Sequence, residues 1–330
     1  MKIVIDNAIP FLEGVLEPYA ETRRLPGREI APADVRDADA LIVRTRTRCD
    51  AALLDGSRVR FIATATIGFD HIDLDYCRRR QIDVATAAGC NARGVLQWVA
   101  AVLHHLSQRE GWRPAEKTLG VVGAGHVGEL VRTYAAAWGF RVLTCDPPRA
   151  AREGGDFVAL EQIARQCDLV TFHTPLDDTT RRMVDAAFLG RLRPDAAILN
   201  SSRGEVVDGD ALLGSGHPYA LDVWPNEPDI DRRLLAGATL ATPHVAGYSA
   251  QGKANAAAMT VAALARRFAL PLAGWYPAVA PSRPRPIGWD ELGATIGAHY
   301  DIAAESDALK RSPERFEELR NGYAYRDEYF

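Results

Sequence analysis

The chain has the size and composition of a globular protein with more than one domain. It contains 330 residues, of which 47% are hydrophobic and 25% charged, and a chain of this length usually divides into two or more domains. Its formal net charge of −4 gives no reason to expect nucleic-acid binding. The cysteines form no C-x-x-C pair and no cluster with histidine, so we expect no metal site. An uncharged stretch at residues 94–106 is too short to cross a membrane, and we expect a cytoplasmic protein.

Strands alternate with helices over the first part of the sequence. Apolar runs predict strands at residues 3–5, 39–43, 59–63 and 82–86, with helices at 11–19 and 72–80. This alternation favours a parallel sheet, and ligands bind beyond the carboxyl ends of the strands in such sheets. The polar residues 44–48 and 64–71 each follow a predicted strand. Both segments are therefore candidates for a ligand site.

A glycine motif lies in the middle of the sequence, after a long helix predicted at residues 91–108. An apolar strand leads into Gly123-x-Gly125-x-x-Gly128, and a helix and a second strand ending at Asp146 follow. The glycines permit a tight turn, close approach of a pyrophosphate and close helix packing, while the helix N-terminus binds phosphate. Asp146 is placed to accept hydrogen bonds from an adenosine ribose, which favours NAD over NADP. The order of these elements favours a dinucleotide site over an ordinary glycine-rich turn.

Four further strands are predicted after the motif, and each delivers polar residues at its C-terminal end. They span residues 168–172, 196–200, 219–223 and 239–241, and they lead into the segments 173–175, 201–204, 224–228 and 242–248. A long alanine-rich helix is predicted at 249–268, and the segment 271–286 is rich in proline, as extended linkers are. Residues 291–330 are charged and aromatic, without a predicted strand.

Three of these polar residues form a chemically meaningful set, namely Arg203, Glu227 and His244. An arginine binds a carboxylate through two hydrogen bonds and stabilises charge on a neighbouring oxygen. A histidine accepts a hydroxyl proton, and a carboxylate orients its ring. Taken singly, each residue has an ordinary structural interpretation. Because all three follow strands behind a dinucleotide motif, we predict hydride transfer between NAD and a 2-hydroxy acid.

The combined motifs resemble those of the D-2-hydroxyacid dehydrogenases. The resemblance covers at least residues 1–268 and uses the glycine motif with Asp146, then the segments 173–175, 201–204, 222–228 and 243–244. It implies an α/β protein with two Rossmann-like, doubly wound parallel-sheet domains. The implied divisions are a split substrate domain at 1–92 and 255–275, an inserted NAD-binding domain at 93–254, and a small C-terminal dimerisation region at 276–330.

The resemblance also implies roles for individual residues. The implied catalytic residues are Arg203, Glu227 and His244, with His244 as the proton donor or acceptor. The implied cofactor residues are the three glycines of the motif and nine residues near them or after later strands. They are Gly123, Gly125, Gly128, His126, Val127, Asp146, Thr174, Ser201, Ser202, Arg203, Asp222 and Gly247. The substrate is implied at Thr45, Thr66 and Tyr248. Within the family, the sequence is similar to a homodimeric branch that oxidises a small phosphorylated 2-hydroxy acid during pyridoxal 5′-phosphate synthesis.

The substrate phosphate requires a cationic group, and three arginines alternate after the second predicted strand. In an extended chain, Arg44, Arg46 and Arg48 share one face. Arg44 is directly at the strand end, beside Thr45, and a guanidinium there can bind phosphate through two hydrogen bonds. We predict that Arg44, helped by Arg46, binds the phosphate, whereas Arg48 belongs to a solvated basic edge.

Two alternatives remain open from the sequence. One is another D-2-hydroxyacid dehydrogenase, which acts on glycerate, 3-phosphoglycerate or lactate. The other is a protein similar to the NAD-sensing co-repressors of this fold, which bind the cofactor but turn over little substrate. The presence of Arg203, Glu227 and His244 weighs against the second alternative. The first alternative is distinguished by whether the enzyme prefers a phosphorylated substrate over an unphosphorylated one.

Overall fold

The computed structural model describes all 330 residues and contains two compact units. The first unit consists of Met1–Asn91 and Ala250–Pro281, and the second consists of Ala92–Ser249 and Ser282–Phe330. The C-terminal region predicted at 276–330 is divided between them, with residues 276–281 in the first unit and residues 282–330 in the second. None of the helices is both long and apolar enough to span a membrane.

The elements follow the alternating order that the sequence predicts. The strands are β1 (Lys2–Asp6), β2 (Glu21–Leu25), β3 (Ala40–Val43), β4 (Phe61–Thr64), β5 (Asp83–Thr86), β6 (Thr118–Val122), β7 (Arg141–Cys145), β8 (Leu169–Phe172), β9 (Ala197–Asn200), β10 (Tyr219–Leu221) and β11 (Leu240–Ala241). The helices are α1 (Pro32–Val35), α2 (Ala51–Leu54), α3 (Leu74–Arg79), α4 (Ala92–Glu110), α5 (His126–Trp138), α6 (Pro147–Glu153), α7 (Leu160–Gln166), α8 (Ala186–Leu189), α9 (Gly209–Ser215), α10 (Arg232–Gly237), α11 (Ala250–Phe268), α12 (Trp289–His299), α13 (Ile302–Arg311) and α14 (Phe316–Asn321).

The first unit is built on a five-stranded parallel sheet in the order β2-β1-β3-β4-β5. Side chains of β1 alternate between its two faces. Ile3 and Ile5 pack in one cluster with Val261 and Leu264 of α11, whereas Val4 packs in the opposite cluster. All of these side chains are fully buried, so the short apolar runs of the sequence form the core of this unit.

The predicted helix at residues 11–19 is wrong, and a strand follows that the sequence did not reveal. This segment forms turns, with Phe11 at φ 67° and Gly14 at φ 75°, and left-handed residues do not continue a right-handed helix. Leu12 and Leu16 are nonetheless fully buried, which accounts for the misleading pattern. The missed strand is β2, whose sequence ETRRL is charged because it lies at the edge of the sheet and stays partly exposed.

The second unit is built on a six-stranded parallel sheet in the order β11-β10-β9-β8-β6-β7. The chain runs from β6 to β7 on one side and then to β8 on the other. This reversal places a crevice at the carboxyl ends of β6 and β8, the position where α/β sheets bind ligands. Together with the first sheet, this topology confirms the predicted α/β fold with two doubly wound parallel sheets.

The C-terminal residues complete the second unit. Leu292 of α12 and Phe330 are fully buried in one of its two clusters, and Leu309 and Phe316 are buried in the other. The hydroxyl of Ser306 in α13 accepts a 3.0 Å hydrogen bond from an N–H of the edge strand β11. The tail therefore contributes apolar side chains to both clusters of its own unit.

Candidate active site

The glycine motif forms the turn that the sequence predicts between β6 and α5. Gly123 has φ +86°, and a Cβ there would lie 2.6 Å from the carbonyl oxygen of His173. A Cβ on Gly128 would lie 1.9 Å from the carbonyl oxygen of Gly123. A Cβ on Gly125 would meet nothing within 4 Å, and no side chain caps the helix that begins at His126. The exposed backbone beside uncapped N–H groups fits a pyrophosphate.

Asp146 lies at the edge of this turn, at the N-terminus of α6. Its carboxylate accepts hydrogen bonds from the backbone N–H of Ala124 at 2.8 Å and of Arg149 at 2.9 Å. The Arg149 guanidinium donates to the Ala124 carbonyl at 2.6 Å and pairs with Glu129 and Glu153. Asp146 is thus fixed beside the glycine turn, and the positive charge of Arg149 is shared between two glutamates.

Polar atoms with unused hydrogen-bonding capacity follow β8 and β9. Thr174 Oγ1 and Ser201 Oγ are buried without a hydrogen-bond partner, although nearly all buried polar groups have one. Beside them, burial lowers the pKa of His173 to about 3, so its ring is neutral and lies 3.0 Å from Thr171 Oγ1. Two orphaned hydroxyls at the carboxyl edge of the sheet fit the polar groups of a bound dinucleotide.

The other predicted cofactor residues lie in the second unit as well. His126 is exposed and Val127 is half-buried in the first turn of α5. Gly247 lies close to α4, because a Cβ on Gly94 would be 3.2 Å from its carbonyl carbon. Close backbone packing between α4 and this segment therefore favours a glycine at position 94.

His244 and Glu227 form a hydrogen-bonded pair. The Nδ1 of His244 lies 2.7 Å from Oε2 of Glu227, and Oε1 accepts a hydrogen bond from the N–H of Trp224 at 2.9 Å. Burial raises the pKa of Glu227, but His244 and Arg320 more than offset it, so that the pKa lies below its usual range. An ionised carboxylate therefore orients the ring through Nδ1, and Nε2 takes no part in this hydrogen bond.

The backbone of His244 is held in a strained conformation by Asp222. His244 has φ +58°, and its N–H donates to the carbonyl of Asp222 at 2.7 Å. Oδ1 of Asp222 accepts from the N–H of Val245, the N–H of Ala246 and the hydroxyl of Thr242, at 2.7 to 3.0 Å. Asp222 is 1% exposed. The residue that the resemblance places at the cofactor thus also fixes the histidine loop, a role that its position in the sequence did not reveal.

Close backbone packing brings the arginine segment to the same edge. A Cβ on Gly204 would lie 2.0 Å from the carbonyl carbon of Trp224, so the loop of Arg203 packs directly on the segment that carries the glutamate. The indole of Trp224 in turn donates to the carbonyl of Thr242, two residues before the histidine, at 3.0 Å. Arg203 Nη1 donates to the carbonyl of Ser202 at 2.8 Å. The structure therefore brings the segments of all three predicted catalytic residues together within the second unit.

Two arginines of the C-terminal tail contact these segments, and sequence reasoning did not assign them to the site. Nη1 of Arg320 is 3.6 Å from Oε2 of Glu227, and its Nε is 3.3 Å from the hydroxyl of Tyr248. Arg326 is 7% exposed and donates to the carbonyl of Val245 at 3.2 Å. The only sequence signal was the charged and aromatic character of the tail.

The predicted substrate residues of the first unit lie at the carboxyl edge of its sheet. Thr45 is exposed, whereas Thr66 is half-buried and donates to the carbonyl of Gly68 at 3.0 Å. Nε of Arg44 donates to Oδ2 of the fully buried Asp6 at 3.0 Å, so one edge of its guanidinium has a structural partner. Arg48 is 84% exposed and pairs with a neighbouring aspartate, as predicted for a solvated edge.

Comparison with known proteins identifies relatives of this chain. The profile of the D-isomer specific 2-hydroxyacid dehydrogenase NAD-binding domain matches residues 91–246. Erythronate-4-phosphate dehydrogenase of Bacteroides fragilis is 43% identical, over 99% of this chain and 97% of that protein. The enzyme of the same name from Azotobacter vinelandii is 43% identical, over 97% of this chain and 89% of its own length.

Solved structures share the fold at lower identity. D-lactate dehydrogenase of Aquifex aeolicus, in complex with NAD and lactic acid, has a TM-score of 0.69 at 21% identity and covers 86% of this chain and 100% of its own. NAD+-bound 3-phosphoglycerate dehydrogenase of Entamoeba histolytica has a TM-score of 0.70 at 24% identity and covers 85% and 99%. TM-scores and coverages of this size confirm the fold.

Proposed function

We propose that this chain, which belongs to the D-isomer specific 2-hydroxyacid dehydrogenase family, oxidises 4-phospho-D-erythronate to 2-oxo-3-hydroxy-4-phosphobutanoate. The reaction uses NAD and serves pyridoxal 5′-phosphate synthesis. Relatives that carry the name of this activity align with nearly the whole chain. The single observation that carries the proposal is the His244–Glu227 pair at 2.7 Å, packed against the arginine segment behind a dinucleotide turn.

The geometry of these residues supports the following catalytic roles. NAD supplies the hydride acceptor. Arg203 binds the substrate carboxylate and stabilises the charge that grows on the C2 oxygen. Nε2 of His244 takes the hydroxyl proton as the C2–H bond breaks, and Glu227 stabilises the imidazolium that forms. Because Glu227 is already ionised and hydrogen-bonded, the pair needs no reorganisation before it accepts the proton.

The remaining site residues are assigned to the cofactor or to the substrate. The glycine turn and His126–Val127 bind the pyrophosphate, Asp146 binds the adenosine ribose, and Thr174 and Ser201 use their unpaired hydroxyls on the cofactor. The remaining cofactor residues are Ser202, Arg203, Asp222 and Gly247. Thr45, Thr66 and Tyr248 bind the substrate, and Arg44 with Arg46 binds its phosphate. The protein is further proposed to act in the cytoplasm as a homodimer through its C-terminal region.

A substrate panel tests the proposal against its alternatives. NADH formation is measured with 4-phosphoerythronate, erythronate, glycerate, 3-phosphoglycerate and lactate, and each substrate is scored by kcat/KM. We expect 4-phosphoerythronate to be preferred over erythronate and over the other acids. A preference for glycerate, 3-phosphoglycerate or lactate would assign the chain to another activity of the family, and NAD binding without turnover would indicate a sensor. Light scattering of the full chain tests the dimer.

A further inference from the structure

One cation of the C-terminal tail lies against the catalytic pair. Nη1 of Arg320 is 3.6 Å from Oε2 of Glu227, the same oxygen that is 2.7 Å from Nδ1 of His244. The Nε of Arg320 lies 3.3 Å from the hydroxyl of Tyr248, and the side chain is 12% exposed. The charge of this arginine is therefore shielded from solvent and directed at the acid of the pair.

The surrounding tail fixes this position. Phe316 anchors α14 in the core of the second unit and is 1% exposed. The hydroxyl of Tyr323 donates to Glu305 at 2.6 Å, and its ring lies 6.0 Å from the ring of Tyr248. On the same tail, Arg315 differs in its exposure and in its partner, because it is 52% exposed and pairs with Glu318 three residues away. Arg320 is thus held by tertiary packing, whereas Arg315 is an ordinary surface arginine.

The charges around the pair differ in sign. Glu227 accepts from the ring of His244 and Asp222 accepts from the backbone around it, while Arg320 lies against Glu227 with the phenol of Tyr248 beside it. Burial raises the pKa of Asp222, whereas that of Glu227 lies below its usual range, so Glu227 is the charged acid of the pair. Burial lowers the pKa of Arg320, but Tyr248 and Glu227 more than offset it, so that it lies above its usual range and the guanidinium keeps its charge. A positive charge a few ångströms from an acid–base pair disfavours an additional proton on that pair.

We propose that Arg320 is a positioning residue that lowers the affinity of the His244–Glu227 pair for a proton. Oxidation of a hydroxy acid requires a ring that begins neutral, because His244 must accept the hydroxyl proton. Without Arg320, the negative charge of Glu227 would be unopposed and would favour a proton on the ring more strongly. The direction of the benefit rests on the proposed function, whereas the charge effect itself concerns the protein alone.

Two unbranched variants of Arg320 separate charge from packing. Arg320→Met removes the charge and keeps most of the side-chain volume, and Arg320→Lys keeps the charge. The Lys variant should suffice because the contact to Glu227 is a single approach of 3.6 Å rather than a bidentate pair. Arg315→Met serves as the matched control on the exposed surface, and thermal melts of all variants verify that they are folded. If the Met variant does not fold, Arg320→Gln replaces it in the same comparison.

The measurement is an NMR titration of the His244 ring in the full NAD-bound protein, with the resonance assigned by its loss in His244→Asn. We expect the midpoint in Arg320→Met to rise by about one pH unit, and the midpoints in Arg320→Lys and Arg315→Met to stay at the wild-type value. The acid limb of kcat/KM for oxidation should move to higher pH in parallel. An unchanged or lower midpoint in Arg320→Met, or an equal rise in Arg320→Lys, would overturn the proposal.

The titration requires no substrate, so its outcome is independent of the substrate panel. A rise in the midpoint without turnover of 4-phosphoerythronate would leave the charge effect standing and contradict the proposed function. Turnover of 4-phosphoerythronate without a rise in the midpoint would support the proposed function and contradict the charge effect of Arg320.

Discussion

The carboxyl edges of the two sheets are built differently. At the edge of the second sheet, three loops are fastened to one another: Asp222 holds the backbone around His244, and Gly204 packs on Trp224. At the edge of the first sheet, Thr45 is exposed and Arg44 keeps one partner, Asp6. A rigid edge suits the movement of a proton and a hydride over fixed distances. A more open edge suits the choice of substrate.

The largest expected effect is at the rigid edge, with His244→Ala. Loss of the proton acceptor should reduce kcat by ~10²–10⁴. NAD affinity, measured by fluorescence titration, should hardly change, because the ring acts on the substrate proton. His126→Ala, on the exposed first turn of α5, is the control that should affect NAD instead. Equal losses of NAD affinity in both variants would show that His244 has a structural role.

Substitution of Arg44, the proposed phosphate-binding residue, tests the role of the open edge in substrate choice. We expect Arg44→Ala to raise KM for 4-phosphoerythronate by at least about tenfold, as the loss of a charged hydrogen bond implies, and to leave unphosphorylated erythronate nearly unchanged. Arg48→Ala, at a side chain that is 84% exposed, should alter neither value. Equal losses for both substrates would mean that the bond to Asp6 is the main role of Arg44 and that the phosphate is bound elsewhere.

The role of Glu227 at the rigid edge is tested by the pH dependence of kcat/KM. Burial raises the pKa of Glu227, but the charge and hydrogen bond of His244, followed by the charge of Arg320, outweigh it and lower the pKa. The carboxylate is therefore ionised and stabilises a proton on the ring. In Glu227→Gln that stabilisation is lost and the ring becomes a weaker base. The acid limb of kcat/KM for oxidation should therefore move to lower pH, opposite to Arg320→Met. An unmoved limb would separate Glu227 from proton transfer.

The smallest expected effect concerns cofactor choice. Asp146→Asn keeps an oxygen for the N–H of Ala124 or Arg149 but removes the charge that repels a 2′-phosphate. The preference for NAD over NADP, measured by kcat/KM for each cofactor, should fall by about tenfold. A wild-type protein that prefers NADP would contradict the assignment of Asp146.

The fold could be predicted from the sequence where its signals are local. Apolar runs located all strands except β2, whose charged sequence follows from its place at the sheet edge. The glycine motif needed only neighbouring residues to be recognised. Arg326 could not be assigned, because its contact to the carbonyl of Gly94 joins residues 232 positions apart. Arg320 likewise reaches the pair only through tertiary packing, and no periodic pattern marks such a contact.

The central claim is hydride transfer from a phosphorylated 2-hydroxy acid at the His244–Glu227 pair. It is tested most directly by incubating the protein with NAD and 4-phosphoerythronate that carries deuterium at C2, followed by mass spectrometry of the reduced cofactor. The account predicts one deuterium in each NADH that forms, and almost no NADH with His244→Ala. Bound NAD that stays oxidised, or NADH that forms without the label, would contradict it.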